Sequence, residues 1–186
     1  MIRVTELLRW AGVTSPFPDT PAMRAALTRG TAVHEASVEI EQRVVTGTAK
    51  TYLMTLPDTL RGYAEAVSQF ADDFRPAWDE VEVQKQDHVI GLSGTPDRVG
   101  LIRGERVVLD YKTGGASGWH RLQLALYTIL VERCGVNGDD GYRIDKRLNV
   151  YLSKGGGYQV RTHRSQQDII EAWKIINSFK ERLPNE

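Results

Sequence analysis

A single cysteine, Cys134, stands in 186 residues. No intramolecular disulfide, cysteine-built zinc site or iron–sulfur cluster can be formed from it, and it reads as a small residue at a helix end. No apolar run approaches the ~20 residues that a membrane span needs. The opening "MIRVTELLRW" lacks the long apolar core and small-residue cleavage site of a secretory signal, so a cytoplasmic setting without membrane contact is expected. Net charge is missing as well: 24 Lys+Arg balance 24 Asp+Glu. That excludes a protein that coats nucleic acid by bulk electrostatics, but not one with a local basic groove. No repeat, low-complexity tract or linker divides the chain, so one domain over 1–186 is expected.

What is present is unevenly placed. From Lys112 to Arg164 nine Lys/Arg face four Asp/Glu. That excess reads equally as a solvated basic face and as a surface for an anionic partner. The first 79 residues read as helical: a short helix over Thr5–Ala11, a proline-containing loop, a long helix from Pro21 to Val45 capped by Asp19 or Thr20, and another from Thr59 to Trp78. Gly30 inside the second helix marks a break or a close contact, since glycine there costs about 1 kcal/mol. Residues 80–164 read as a sheet core: three strands over "EVEVQKQDHVIGLSGTPDRVGLIRGERVVLDYKT", a buried helix in "SGWHRLQLALYTILVERCG", and a hairpin around Gly155–Gly157. Ser165 opens a last helix running to about Leu183.

The strands around "GTPDRVGLIRGERVVLDYKTG" look buried, yet they carry Asp97, Asp110 and Lys112. Alternation puts Asp110 and Lys112 on one face and Tyr111 on the other. With a two-residue loop at Arg103–Gly104, Asp97 lies opposite Asp110. With the loop at Gly104–Glu105 it lies opposite Lys112. Both place the trio on one face, whereas a three-residue loop would send Asp97 to the other. Neighbouring carboxylates repel unless a cation lies between them, and Mg²⁺ takes one or two carboxylates while keeping several waters. Read from spacing alone, a metal site and a buried Asp–Lys ion pair remain alternatives. In the following helix Gln123 and Tyr127, four apart, share a face, and a glutamine in an otherwise apolar helix needs partners.

Asp97, then Asp110-Tyr111-Lys112, then Gln123-x-x-x-Tyr127, preceded by Gly30 and His34, resembles the PD-(D/E)xK nuclease superfamily, and within it the RecB-type group of recombination, phage and mitochondrial genome-maintenance exonucleases. The resemblance runs from about His34 to Tyr127. It implies an α/β fold with a restriction-endonuclease-like αβββαβ core, in which helices flank a mixed central sheet. The implied activity is metal-dependent DNA hydrolysis, an exonuclease rather than an endonuclease, or else a non-cutting module that grips DNA ends. The implied metal ligands for one or two Mg²⁺ or Mn²⁺ ions are His34, Asp97, Asp110 and the Tyr111 backbone carbonyl, with Glu82 as a further acid. Lys112 would position or activate the attacking water, and Gln123 and Tyr127 would organise the site, Tyr127 also touching DNA. Arg121, Arg143, Lys146, Arg147 and Lys154 would hold the DNA backbone. The cysteines that bind an iron–sulfur cluster in some relatives are missing. So is a helicase domain, which leaves room for a recombination or single-strand-binding partner protein. Small free-standing members suggest a bacterial or phage-infected cell. Asp110 replaces the more frequent Glu of the D/E-x-K motif.

Overall fold

The computed structural model describes residues 1–15 and 18–182. Pro16 and Phe17 of the first loop, and the expected helix end at Leu183, lie outside the described residues. In chain order the elements are β1 (Ile2–Arg3), α1 (Val4–Trp10), α2 (Pro21–Thr46), α3 (Ala49–Leu53), α4 (Asp58–Phe74), β2 (Ala77–Val81), β3 (Lys85–Asp87), β4 (Leu92–Gly94), β5 (Arg98–Ile102), β6 (Glu105–Lys112), α5 (His120–Cys134), β7 (Lys146–Leu152), β8 (Tyr158–His163) and α6 (Gln166–Glu181).

The expected α/β architecture is present. A mixed five-stranded sheet has the order β2-β5-β6-β7-β8, with β6 and β7 parallel and the other pairs antiparallel. A parallel pair needs a crossover, and α5 supplies it. Alternation gives the sheet two faces. Val99 and Val108 turn to α1, α5 and α6. Ile102, Val107, Leu109, Tyr111, Leu148 and Val150 turn to α2 and α4. With both faces covered, the central strands are apolar on both sides.

Three expectations need correction. The stretch from Glu80 to Lys112 holds parts of five strands, not three: β3 and β4 leave the main sheet and pair with each other, and β1 adds to β4 in parallel. The N-terminal part is therefore not purely helical. α4 stops at Phe74 rather than Trp78, because Arg75 turns left-handed at φ 44 and Pro76 follows, a stop signal that frees Trp78 for β2. Third, α2 runs through Gly30 without a break, and a Cβ there would meet Thr113 Oγ1 at an ordinary 3.7 Å; nothing in the structure explains this glycine. Thr20, not Asp19, caps α2, its side chain accepting from the Met23 N–H at 3.2 Å. α3 was not expected at all.

Candidate active site

The turn between β5 and β6 decides whether the acids meet. Ile102 pairs with Glu105 and Arg98 with Leu109, so the loop is Arg103–Gly104. Both residues have positive φ, 54 and 80, as the two-residue turn that matches strand twist requires. Extended by one residue, this register sets Asp97 opposite Asp110, on the α5 face. The Tyr111 N–H donates to Asp97 Oδ2 at 2.7 Å, tying the two strand ends together. His34, on the turn of α2 that reaches the sheet end, brings Nδ1 within 3.2 Å of the same oxygen.

Asp110 is nearly fully buried. Its Oδ2 meets Lys112 Nζ at 2.6 Å and accepts from Asn149 Nδ2 at 3.3 Å. Lys112 also donates to Gln123 Oε1 at 2.9 Å, and Gln123 Nε2 donates to the Tyr127 hydroxyl at 3.3 Å. The buried glutamine thus has the partners it needs, and one chain of contacts runs from Asp110 through Lys112 and Gln123 to Tyr127. Trp119 lies beside it, its ring centroid 5.6 Å from Lys112 Nζ.

The electrostatics mark a site short of positive charge. Burial pushes the Asp110 carboxyl up to about 6; Lys112 pulls it back and the Asp97 charge pushes it further up. Burial pulls the His34 imidazole down, but the hydrogen bond and charge of Asp97, with Asp110, outweigh it and leave its pKa raised. Tyr127 is raised by burial and by both carboxylates.

Among the described residues no three His, Cys, Asp or Glu side chains converge on one point. Each carboxylate has settled on the nearest cation or N–H. The donor set nevertheless fits a hard divalent ion. Two carboxylates and an imidazole surround the end of β6, and Oδ1 of Asp97 and of Asp110 accepts no hydrogen bond among the described residues. Carboxylate oxygens suit Mg²⁺ or Mn²⁺, with imidazole an acceptable added ligand.

The other expected residues fall elsewhere. Glu82 follows β2 in a left-handed conformation, φ 51. Its N–H donates to the Asp97 carbonyl at 3.0 Å, and its carboxylate lies 3.8 Å from Arg98. The basic set does not form one surface. Arg147 is buried, bound to Asp168 Oδ2 at 3.1 Å and to the Ser165 carbonyl. Arg121 is held at 2.8 Å by both Asp168 and Glu171, and Lys146 at 2.6 Å by Glu105. Arg143 donates to the Glu132 and Tyr142 carbonyls. Lys146 opens β7 and Lys154 lies past its end, so roughly 20 Å of strand separates them.

Two features were missed from sequence. Arg98, wholly buried, donates to Glu41 Oε2 (2.7 Å), Ser37 Oγ (2.6 Å) and the Asp97 carbonyl (2.8 Å). Glu41 Oε1 accepts from the Tyr111 hydroxyl at 2.6 Å. The helix that carries His34 is thereby fastened behind both aspartates. Burial raises the Glu41 carboxyl despite the pull of Arg98 and Tyr111. The second is Asn149, fully buried, which bridges Asp110 and His163.

A family model described as the PD-(D/E)XK nuclease superfamily matches residues 17–175. The chain belongs to the PD-(D/E)XK nuclease superfamily. The superfamily fold accounts for the mixed sheet flanked by helices, and membership makes the chain a nuclease by family. No curated relative matches the sequence. Among solved structures, a candidate exonuclease from Eubacterium rectale superposes with a TM-score of 0.48 at 12% identity, covering 95% of this chain and 71% of its own. The protein SSO0001 superposes at 0.34 with 14% identity, covering 98% and 87%. The assignment rests on the family match and takes nothing from these two. No helix among the described residues is long and apolar enough to cross a membrane.

Proposed function

We propose that this member of the superfamily is a divalent-metal-dependent DNA nuclease of the RecB type, hydrolysing phosphodiester bonds at DNA ends during recombination, repair or phage genome processing. The observation that supports it best is the meeting of Asp97, Asp110 and Lys112 at the end of the β5–β6 hairpin, with Lys112 Nζ 2.9 Å from Gln123 Oε1. In this reading His34, Asp97, Asp110 and the Tyr111 carbonyl hold one or two Mg²⁺ or Mn²⁺ ions. Such ions, when bound, offset charge on the phosphate and on the leaving oxygen.

The chain's own residues do the rest. Lys112, steadied by Gln123, orients a water for in-line attack on phosphorus as the bond to the leaving oxygen breaks. Gln123 and Tyr127 hold the α5 side of the site, and Tyr127 lies where it meets the nucleotide. Asn149 keeps the Asp110 carboxylate turned toward the site. Glu82, whose N–H donates to the Asp97 carbonyl at 3.0 Å, braces the strand end that carries Asp97.

End-labelled linear DNA and closed circular DNA, single- and double-stranded, incubated with Mg²⁺ or Mn²⁺, test this. Linear DNA should be degraded from an end and circles spared. Cleavage of circles would replace the exonuclease with an endonuclease. Binding to ends without hydrolysis under either metal would make the chain a DNA-end-binding module instead.

A further inference from the structure

The basic residues from Lys112 to Arg164 sort by partner. Lys112, Arg121, Arg133, Lys146, Arg147 and Arg164 each have a carboxylate within ion-pair distance. Arg143 is engaged with carbonyls. Among the described residues Lys154 and Arg161 have neither, and both are exposed. They do not lie together: Arg161 is on β8 opposite Asn149, whereas the Lys154 carbonyl packs against Gly62 of α4 at the hairpin tip. A cleft of about 370 Å³ opens beside the strand end that carries Lys112, lined by Gly115, Tyr151, Ser153, Gly157 and Gln159 among others. Arg161 borders it from β8, its guanidinium 5.5 Å from the ring centre of the lining Tyr151.

Register places this cleft relative to the carboxylates. Asp110 pairs with Asn149, and Asn149 with Arg161. All three share the α5 face. Two strand spacings put the Arg161 backbone roughly 10 Å from that of Asp110, within reach of a phosphate next to the one being cut. Gly115 and Gly157 leave open space where a side chain would stand, so a sugar–phosphate chain can lie close to the backbone. The volume is near the lower end of the ~300–1,000 Å³ of small-ligand pockets, room for one nucleotide. An unpaired cation beside an aromatic ring is the chemistry that holds single strands without reading their sequence.

We infer that this cleft is the subsite for the single-strand nucleotide neighbouring the scissile phosphate, with Arg161 as its phosphate ligand. The inference rests on the nuclease reading and gives it a substrate form: one strand, separated from its complement, crossing β6, β7 and β8. It also moves the phosphate contacts away from Arg121, Lys146 and Arg147, whose charges are already matched.

The test is binding of labelled single-stranded DNA in EDTA, where cleavage is suppressed, as a function of salt. Arg161→Ala, Arg161→Lys and Lys146→Ala are compared with the parent chain, and melting serves as a folding control. Arg161→Ala should weaken binding about tenfold and make the log–log salt slope shallower by about 0.7. Arg161→Lys should recover most of the affinity, and Lys146→Ala should change it less than twofold. With metal restored, the Arg161→Ala defect should fall on KM rather than kcat. Affinity unchanged in Arg161→Ala but weakened in Lys146→Ala would overturn the subsite while a cutting parent leaves the nuclease reading intact. A parent that neither binds nor cuts would overturn both.

Discussion

Lys112→Ala is expected to lose DNA cleavage by roughly 10²–10⁴, the usual contribution of a positioned proton-handling group, while keeping its fold. The lysine touches Asp110 and Gln123 at the end of β6 and is partly open to solvent. Among the described residues its ammonium is the lysine charge paired with Asp110. Single-turnover cleavage of end-labelled DNA at saturating metal checks this, with melting as the folding control. Gln123→Ala should lose less, because it acts by holding Lys112. Cleavage within threefold of the parent in a folded Lys112→Ala variant would remove Lys112 from the chemistry and return the Asp110–Lys112 contact to a structural ion pair.

Arg98→Met should destabilise the chain by about 3–5 kcal/mol, the usual result of breaking a buried ion pair from one side. For a chain of this size that lowers Tm by roughly 6–20 °C. The guanidinium is wholly buried and satisfies Glu41, Ser37 and the Asp97 carbonyl together; methionine fills the volume and leaves the buried Glu41 without its cation. Burial already raises Glu41 with Arg98 in place, so removing the arginine raises it further. A folded-state carboxyl raised above its unfolded value loses stability as pH rises through the interval between the two. The deficit should therefore be larger at pH 8 than at pH 5. Glu41→Met added to Arg98→Met should recover part of the loss. Melting curves of the parent and the two variants decide it, and a loss under 1 kcal/mol in Arg98→Met would mean the network does not hold α2 against the hairpin.

The hairpin was legible because Gly104 interrupts two β-branched, apolar runs, although the sequence left its loop open between Arg103–Gly104 and Gly104–Glu105. α5 was legible from its apolar run, and β7–β8 from the glycines between them. The small sheet was not: two residues at the chain start pair with two residues ninety positions away, and runs that short carry no periodic signal. The Arg98 network was legible in principle. Arg98 alternates with Asp97 and shares its face with Gly100 and Ile102, so a co-facial Asp97 implies a buried arginine in need of an acid. That the acid is Glu41 depends on how α2 crosses the sheet, which no local pattern states. The basic patch misled for a related reason. Counting charges along the chain cannot show that Asp168 on α6 neutralises Arg121 and Arg147, while Arg161 is left facing solvent.

In the proposed reading Asp97 and Asp110 form a site for a divalent cation. Thermal melting with increasing Mn²⁺ or Mg²⁺, run in parallel on the parent and on Asp110→Asn, tests it most directly. At a metal concentration 100 times Kd, binding to the folded state alone adds about 2.7 kcal/mol, a rise of roughly 5–10 °C for a chain of this length. The account predicts that rise in the parent and its loss in Asp110→Asn. A parent Tm that stays fixed across millimolar metal, or an equal rise in Asp110→Asn, would contradict it.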